Sequence, residues 1–213
     1  MFENSLTVGT MYRGSAKLVD RAPMLTAVIF MAFCLIDAVS RQSESFDQFW
    51  LRFAIFAAAF VAYTGAYYAL HHVLLERIGL RTTSHGVIDF AGLSIFIGVG
   101  VTIGAFLFIV PGLVLLCGWF VALPYLLSHE DSILDAPARS WDMTTGYKVE
   151  IFFSTLLSLV PMIVLSLLEL LIGFHSEFLD VIAGAMVTML NVLLTIAALA
   201  ILLGQNREPD VED

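Results

Sequence analysis

The chain has 213 residues, 59% of them hydrophobic and only 14% charged, with a formal net charge of −9. Soluble globular chains carry roughly 25% charged residues, and a small soluble domain lacks the interior volume to hide this much apolar surface. The composition therefore excludes an ordinary soluble domain, names lipid as the solvent, and leaves no basic surface for a nucleic-acid partner.

The first twenty-one residues are polar and carry Arg13, Lys17 and Arg21, so no cleavable signal peptide is expected and 1–21 reads as a cytoplasmic end. A crossing helix needs about 20 apolar residues to span a hydrocarbon core of roughly 30 Å. The first such run is 22–39, interrupted only by Asp37 near its close. The second is 53–75, in which Ala54, Ala58, Ala62 and Ala66 recur every four residues as a smooth packing ridge.

Around the turn that follows, His72 and Glu76 stand four apart, as do His85 and Asp89, and His71 adds another nitrogen. That spacing puts both members on one helical face, as metal ligands require. The same residues at a membrane interface also pair with one another or cap helix ends, and Asp89 at a helix start favours the helix dipole.

From Phe90 to His129 there is no Asp, Glu, Lys or Arg. Forty residues of helix would reach about 60 Å, twice the bilayer core. Pro111-Gly112 is expected to divide the run into a tight helical hairpin of 90–110 and 112–127. The second arm is short, so it either crosses or re-enters. Gly100 and Gly104 form a GxxxG pair with Gly98 close by, a pattern that serves packing within one chain and dimerisation alike.

In the loop beyond, Ser132 and Asp135 have N-cap spacing. Leu134, Ala138 and Trp141 share one helical face, and Asp135 and Arg139 can pair at i, i+4. These residues predict a short amphipathic helix in the membrane interface with Trp141 as anchor. Arg139 either meets a lipid phosphate or pairs with Asp135 or Asp142, and Lys148 supplies a further cation near the headgroups.

The fifth span is 150–172, where Ser154, Ser158, Pro161 and Glu169 fall in a narrow sector. Pro161 cannot donate to the carbonyl of Leu157, which predicts a bend. The sixth is 181–204, with Gly184, Thr188, Asn191 and Thr195 along one face, and 205–213 forms the second cytoplasmic end. The two polar stripes are expected to face inward and bond each other. Charges inside spans are functional candidates. Asp37 and Glu169 are either interfacial carboxylates or, in a cavity with the Asn191 stripe, parts of a proton- or cation-linked path. Cys34 and Cys117 read as buried free thiols.

With six crossings, Arg13, Lys17, Arg21, Arg77, Arg81, Arg139, Lys148 and Arg207 fall on one side and only Arg41 and Arg52 on the other. The excess places both termini in the cytoplasm, and the loop around Glu177, which carries no Lys or Arg, fits the outer side.

Residues 106–127 read FLFIVPGLVLLCGWFVALPYLL and continue into Ser132-Ile133-Leu134-Asp135-Ala136, Arg139-Ser140-Trp141 and Gly146. Over about 106–152 this resembles the membrane domain found beside some bacterial glycerophosphoryl diester phosphodiesterases and as stand-alone bacterial inner-membrane proteins. The chain departs from that pattern at Pro137 and at Cys117-Gly118. The resemblance implies a bacterial inner membrane and no catalysis, because the phosphodiesterase activity belongs to a separate soluble domain.

Enzyme templates fail: GxxxxGK[ST], GxSxG and CxxC are absent, and no cofactor is expected. The sequence thus reads as an all-α polytopic bundle of about six spans. It is expected to be a non-enzymatic inner-membrane protein supporting envelope or lipid homeostasis. Lipid contacts, contacts with a membrane-protein partner or self-association would carry that role, with Arg139, Trp141 and Lys148 as contact residues. The alternative is a small transporter or permease subunit whose polar path uses Asp37, Glu169, Thr188, Asn191 and Thr195.

Overall fold

The computed structural model describes residues 5–42, 47–80, 83–172 and 176–205, and the regular structure among them is entirely helical. Four single helices are long and apolar enough to cross a membrane: α2 (Pro23–Gln42), α3 (Phe49–Arg77), α4 (Val87–Leu107) and α10 (Glu177–Gln205). A fifth crossing stretch, Ile109–Ser128, is built from α5 (Ile109–Gly118) and α6 (Ala122–Ser128). The pair α8 (Lys148–Ser158) and α9 (Val160–Ile172), bent by 45°, is together long and apolar enough for a sixth span or a re-entrant loop. Two shorter helices, α1 (Val8–Arg21) and α7 (Asp135–Met143), lie at one end of the bundle, which we call proximal. The distal end carries the close of α2, the start of α3 and the start of α10.

Proline positions explain the breaks. Pro23 is the first residue of α2, Pro161 the second of α9, and Pro111, Pro124 and Pro137 the third of α5, α6 and α7. In the first turn a backbone N–H has no intrahelical partner, so the missing donor of proline costs nothing there. The hairpin consequently breaks at Phe108, whose backbone is extended (φ −158°, ψ 137°), and not at Pro111-Gly112 as the sequence suggested. The ring of Pro111 clashes with a helical carbonyl at Leu107, so α4 ends there and a new helix starts ahead of the proline. By the same rule Pro137 leaves α7 regular, and the bend expected at Pro161 appears at Leu159.

The hairpin arms touch backbone to backbone. A Cβ placed on Gly112 would stand 2.6 Å from the Ala105 nitrogen, and one on Gly104 would meet the Gly112 Cα at 3.1 Å. A Cβ on Gly100 would meet the Trp119 ring at 2.6 Å. The GxxxG pair is therefore engaged within the chain.

The polar N-terminal segment contains a helix the sequence reading missed. Thr7 and Thr10 form a reciprocal capping box at its start, with Thr10 N–H donating to Thr7 Oγ1 (3.2 Å) and Thr7 N–H to Thr10 Oγ1 (2.8 Å). Its buried face is Thr10, Met11, Gly14, Ser15 and Leu18, which packs against α8 and α10. Only two of those five are large and apolar, so a hydropathy scan passes over them. Tyr12 donates to the Ser154 carbonyl (3.0 Å) and Ser154 to the Met11 sulfur (3.3 Å). Burial raises the pKa of the Tyr12 phenol.

At the centre stands α10. Val192 to Leu199 is buried on every face, enclosed by α1, α2, α3, α6 and α8. A helix surrounded in this way needs no polar side.

Candidate functional site at the proximal rim

The break between α5 and α6 leaves backbone groups of residues 118–121 without helical partners. Two hydroxyls of the α7 segment supply them. Ser140 Oγ donates to the Gly118 carbonyl (2.9 Å) and accepts from Val121 N–H (3.2 Å), while Thr144 Oγ1 lies 3.1 Å from the same carbonyl. In an apolar surround each unpaired backbone group costs about 1–3 kcal/mol, so these contacts fix α7 to the bundle. The Trp141 indole lies so close to Gly118 that any Cβ there would run into the ring. Lys148 Nζ sits 3.3 Å from the Trp141 ring centroid, a cation–π contact.

The docked face of α7 is thus Ala136, Pro137 and Ser140, not the Leu134–Ala138–Trp141 face expected to lie in lipid. Leu134 is 74% exposed and Trp141 half-buried. Asp135 N–H does donate to Ser132 Oγ at 3.3 Å, but this bond closes the turn ahead of α7, whose N-cap position is Leu134 and not Ser132. Arg139, its side chain 61% exposed, is paired with Asp131 at 4.0 Å and not with Asp135 or Asp142. The Asp135 carboxylate instead accepts from the Ser132 hydroxyl at 2.7 Å.

Asp131 is a hub that sequence reasoning missed. Its carboxylate accepts from the Tyr125 hydroxyl (2.6 Å), and its carbonyl lies 3.0 Å from His85 Nε2. Tyr125 stacks on His129 at 4.1 Å. His85 Nδ1 is 3.3 Å from Asp89, whose carboxylate also accepts from Gly86 N–H (3.1 Å) and caps α4. Thr83 closes the end of α6 by donating to the carbonyls of Leu126 and Leu127. The only sequence signal was the polar run His129-Glu130-Asp131 directly after an apolar stretch.

The His72, Glu76, His85 and Asp89 set does not converge. His85 and Asp89 meet; His72 packs on Tyr68, and Glu76 is exposed at the end of α3. His71 turns toward α10, fully buried, with Nδ1 on the Tyr67 carbonyl (2.9 Å) and Nε2 facing Thr195 (3.4 Å). Among the described residues no three His, Cys, Asp or Glu side chains come together as a metal site.

The polar stripe of α10 runs from the distal end into the core, and its partners come from three helices. A Cβ on Gly184 would touch the Asp37 carboxylate at 3.8 Å. Thr188 bonds the Tyr63 hydroxyl (2.8 Å), and Asn191 donates to Ser158 (3.1 Å) as expected between the fifth and sixth spans. Ser154 turns to α1 instead, and Glu169 is exposed on α9, none of which is buried. The sequence pairs the stripe with the fifth span and, in a polar path, with Asp37; Tyr63, Tyr67 and His71, four apart on α3, are a counterpart it does not announce. Of the two cysteines, Cys117 is buried and Cys34 only partly so.

No family model, no curated protein and no solved structure matches the chain. What fold and composition define is a class, a multi-pass α-helical membrane protein. The likeness noted over 106–152 rests on those residues alone.

Proposed function

We propose that this is a non-enzymatic bacterial inner-membrane protein that supports envelope or lipid homeostasis through its proximal rim, with that rim and both termini on the cytoplasmic side. The observation that supports this is the α7 platform. Ser140, Thr144 and Trp141 fix the helix to the α5–α6 break, Leu134 and Arg139 are left exposed, and Lys148 lies over the Trp141 ring. An apolar residue next to cations at a bundle end suits the level of anionic headgroups. The test is the set of lipids and proteins that co-purify with the full chain. Arg139→Gln with Lys148→Gln is expected to deplete anionic lipid or a specific partner, and an unchanged set contradicts the reading.

One observation favours a second reading, a small permease. A distal cavity is lined by Asp37, Ser40 and Tyr63, and Tyr63 hydrogen-bonds Thr188 of the α10 stripe. On this reading Asp37→Asn abolishes a proton- or cation-coupled flux in proteoliposomes, and flux that Asp37→Asn leaves intact removes it.

A further inference from the structure

The distal space between α2 and α3 is amphipathic along its depth. Its mouth, about 790 Å³, is lined by Asp37, Ser40 and Arg41 of α2 and by Arg52, Phe53 and Phe56 of α3. Arg41 uses Nε on Asp37 at 3.1 Å, which leaves its terminal N–H groups to donate elsewhere. Arg52 has no ion-pair partner among the described residues. The charged side chains that line the mouth, Asp37, Arg41 and Arg52, thus sum to one positive charge. Below it a second space of 230 Å³ shares Asp37, Ser40 and Phe56 with the first and continues past Ala59 and Phe60 to Tyr63. From Arg52 to Tyr63 the helix rises about 16 Å at 1.5 Å per residue. That is close to half of a hydrocarbon core of roughly 30 Å, the depth of one leaflet.

We propose that this groove is a binding site for one anionic glycerophospholipid, its phosphate held by Arg41 and Arg52 and one acyl chain laid along Phe53, Phe56 and Phe60 toward Tyr63. Two features select that occupant. Guanidinium forks match phosphate oxygens, and a zwitterionic lipid would bring its own cation against them. The aromatic floor begins where the cations end and stops one leaflet deeper, as a chain attached to that phosphate requires. The site lies at the opposite end from the α7 rim and does not depend on it.

Native mass spectrometry of the full chain, with equal phosphatidylglycerol and phosphatidylcholine of the same acyl chains, tests the proposal. Phosphatidylglycerol is expected to stay bound under activation that strips phosphatidylcholine. Arg52→Gln is expected to lower its retention about tenfold or more, since a lost charge-assisted hydrogen bond is of that order. Arg52→Lys is expected to recover part of it, which separates charge loss from misfolding. Ala59→Trp, which fills the lower groove, is expected to release the lipid while both arginines remain. Arg52→Gln is also compared with its parent in a shared Arg139→Gln, Lys148→Gln background, where the rim cations are absent, so failure here and failure at the rim are read separately. Equal retention of the two lipids overturns the proposal, as does an Arg52→Gln variant that behaves like the parent. Displacement of the lipid by inorganic phosphate, or dimers that carry no lipid, overturns it too.

Discussion

In its last turns α3 buries Leu70, His71, Leu74 and Leu75, whereas the first turns of the same helix leave Phe49, Trp50, Phe53 and Phe56 exposed. Hydropathy does not account for the difference, since the buried end carries His71, His72, Glu76 and Arg77 and the exposed first turns carry one charge, Arg52. In lipid, apolar surface gains nothing by leaving the solvent, so hydropathy cannot decide which end closes. What closes the proximal end is directed contact. The hydroxyls of Ser140 and Thr144 bond the Gly118 backbone, the indole of Trp141 covers it, and α1 packs over α8 and α10. Among the described residues the distal end shows no such apparatus between α2 and α3, and a groove remains there.

This contrast can be broken by substitution. The largest effect is expected at Gly118→Leu, which drives a side chain into Trp141 and unseats α7. Overpacking and the orphaned backbone groups together predict about 4 kcal/mol or outright misfolding, read as loss of monodisperse protein in detergent. Leu74→Ala, wholly inside the proximal core, is expected to cost about 2–5 kcal/mol in a thermal unfolding series. Ser140→Ala, which strands the Val121 N–H, is expected to cost about 1–3 kcal/mol in the same series. Tyr63→Phe removes the bond to Thr188 and is expected to cost only about 0.6 kcal/mol, the average for interhelical hydrogen bonds in a membrane. Phe53→Ala at the distal mouth is expected to change stability by less than about 0.5 kcal/mol. A distal loss equal to that of Leu74→Ala would erase the distinction between the ends.

Much of the architecture was legible because crossing helices announce themselves by length and apolarity. Each of the six expected spans overlaps a helix or helix pair, and the bend near Pro161 followed from its missing donor. Three things were not legible. The hairpin break shifted to Phe108 because a proline constrains the residues before it more than its own position. The helix α1 stayed hidden because Gly14, Ser15 and Thr10 on its buried face are small and polar. The inward face of α7 differs from the expected one because local spacing points to Trp141 as a lipid anchor, whereas Ser140 and Thr144 serve unpaired backbone on a segment distant in sequence. For the same reason the Asp131 hub and the Tyr63–Tyr67–His71 row went unseen. Such partners come from other helices, and no local spacing reports them.

The central claim is that the distal groove is reached from outside while the proximal core is sealed. The most direct test is thiol reactivity in membrane vesicles, with single cysteines placed in a background lacking Cys34 and Cys117. Ser40→Cys, at the groove mouth, is expected to react quickly with a small charged reagent, Tyr63→Cys at its floor more slowly, and Thr195→Cys beside His71 not at all. Equal reactivity at Ser40 and Thr195 would contradict the account.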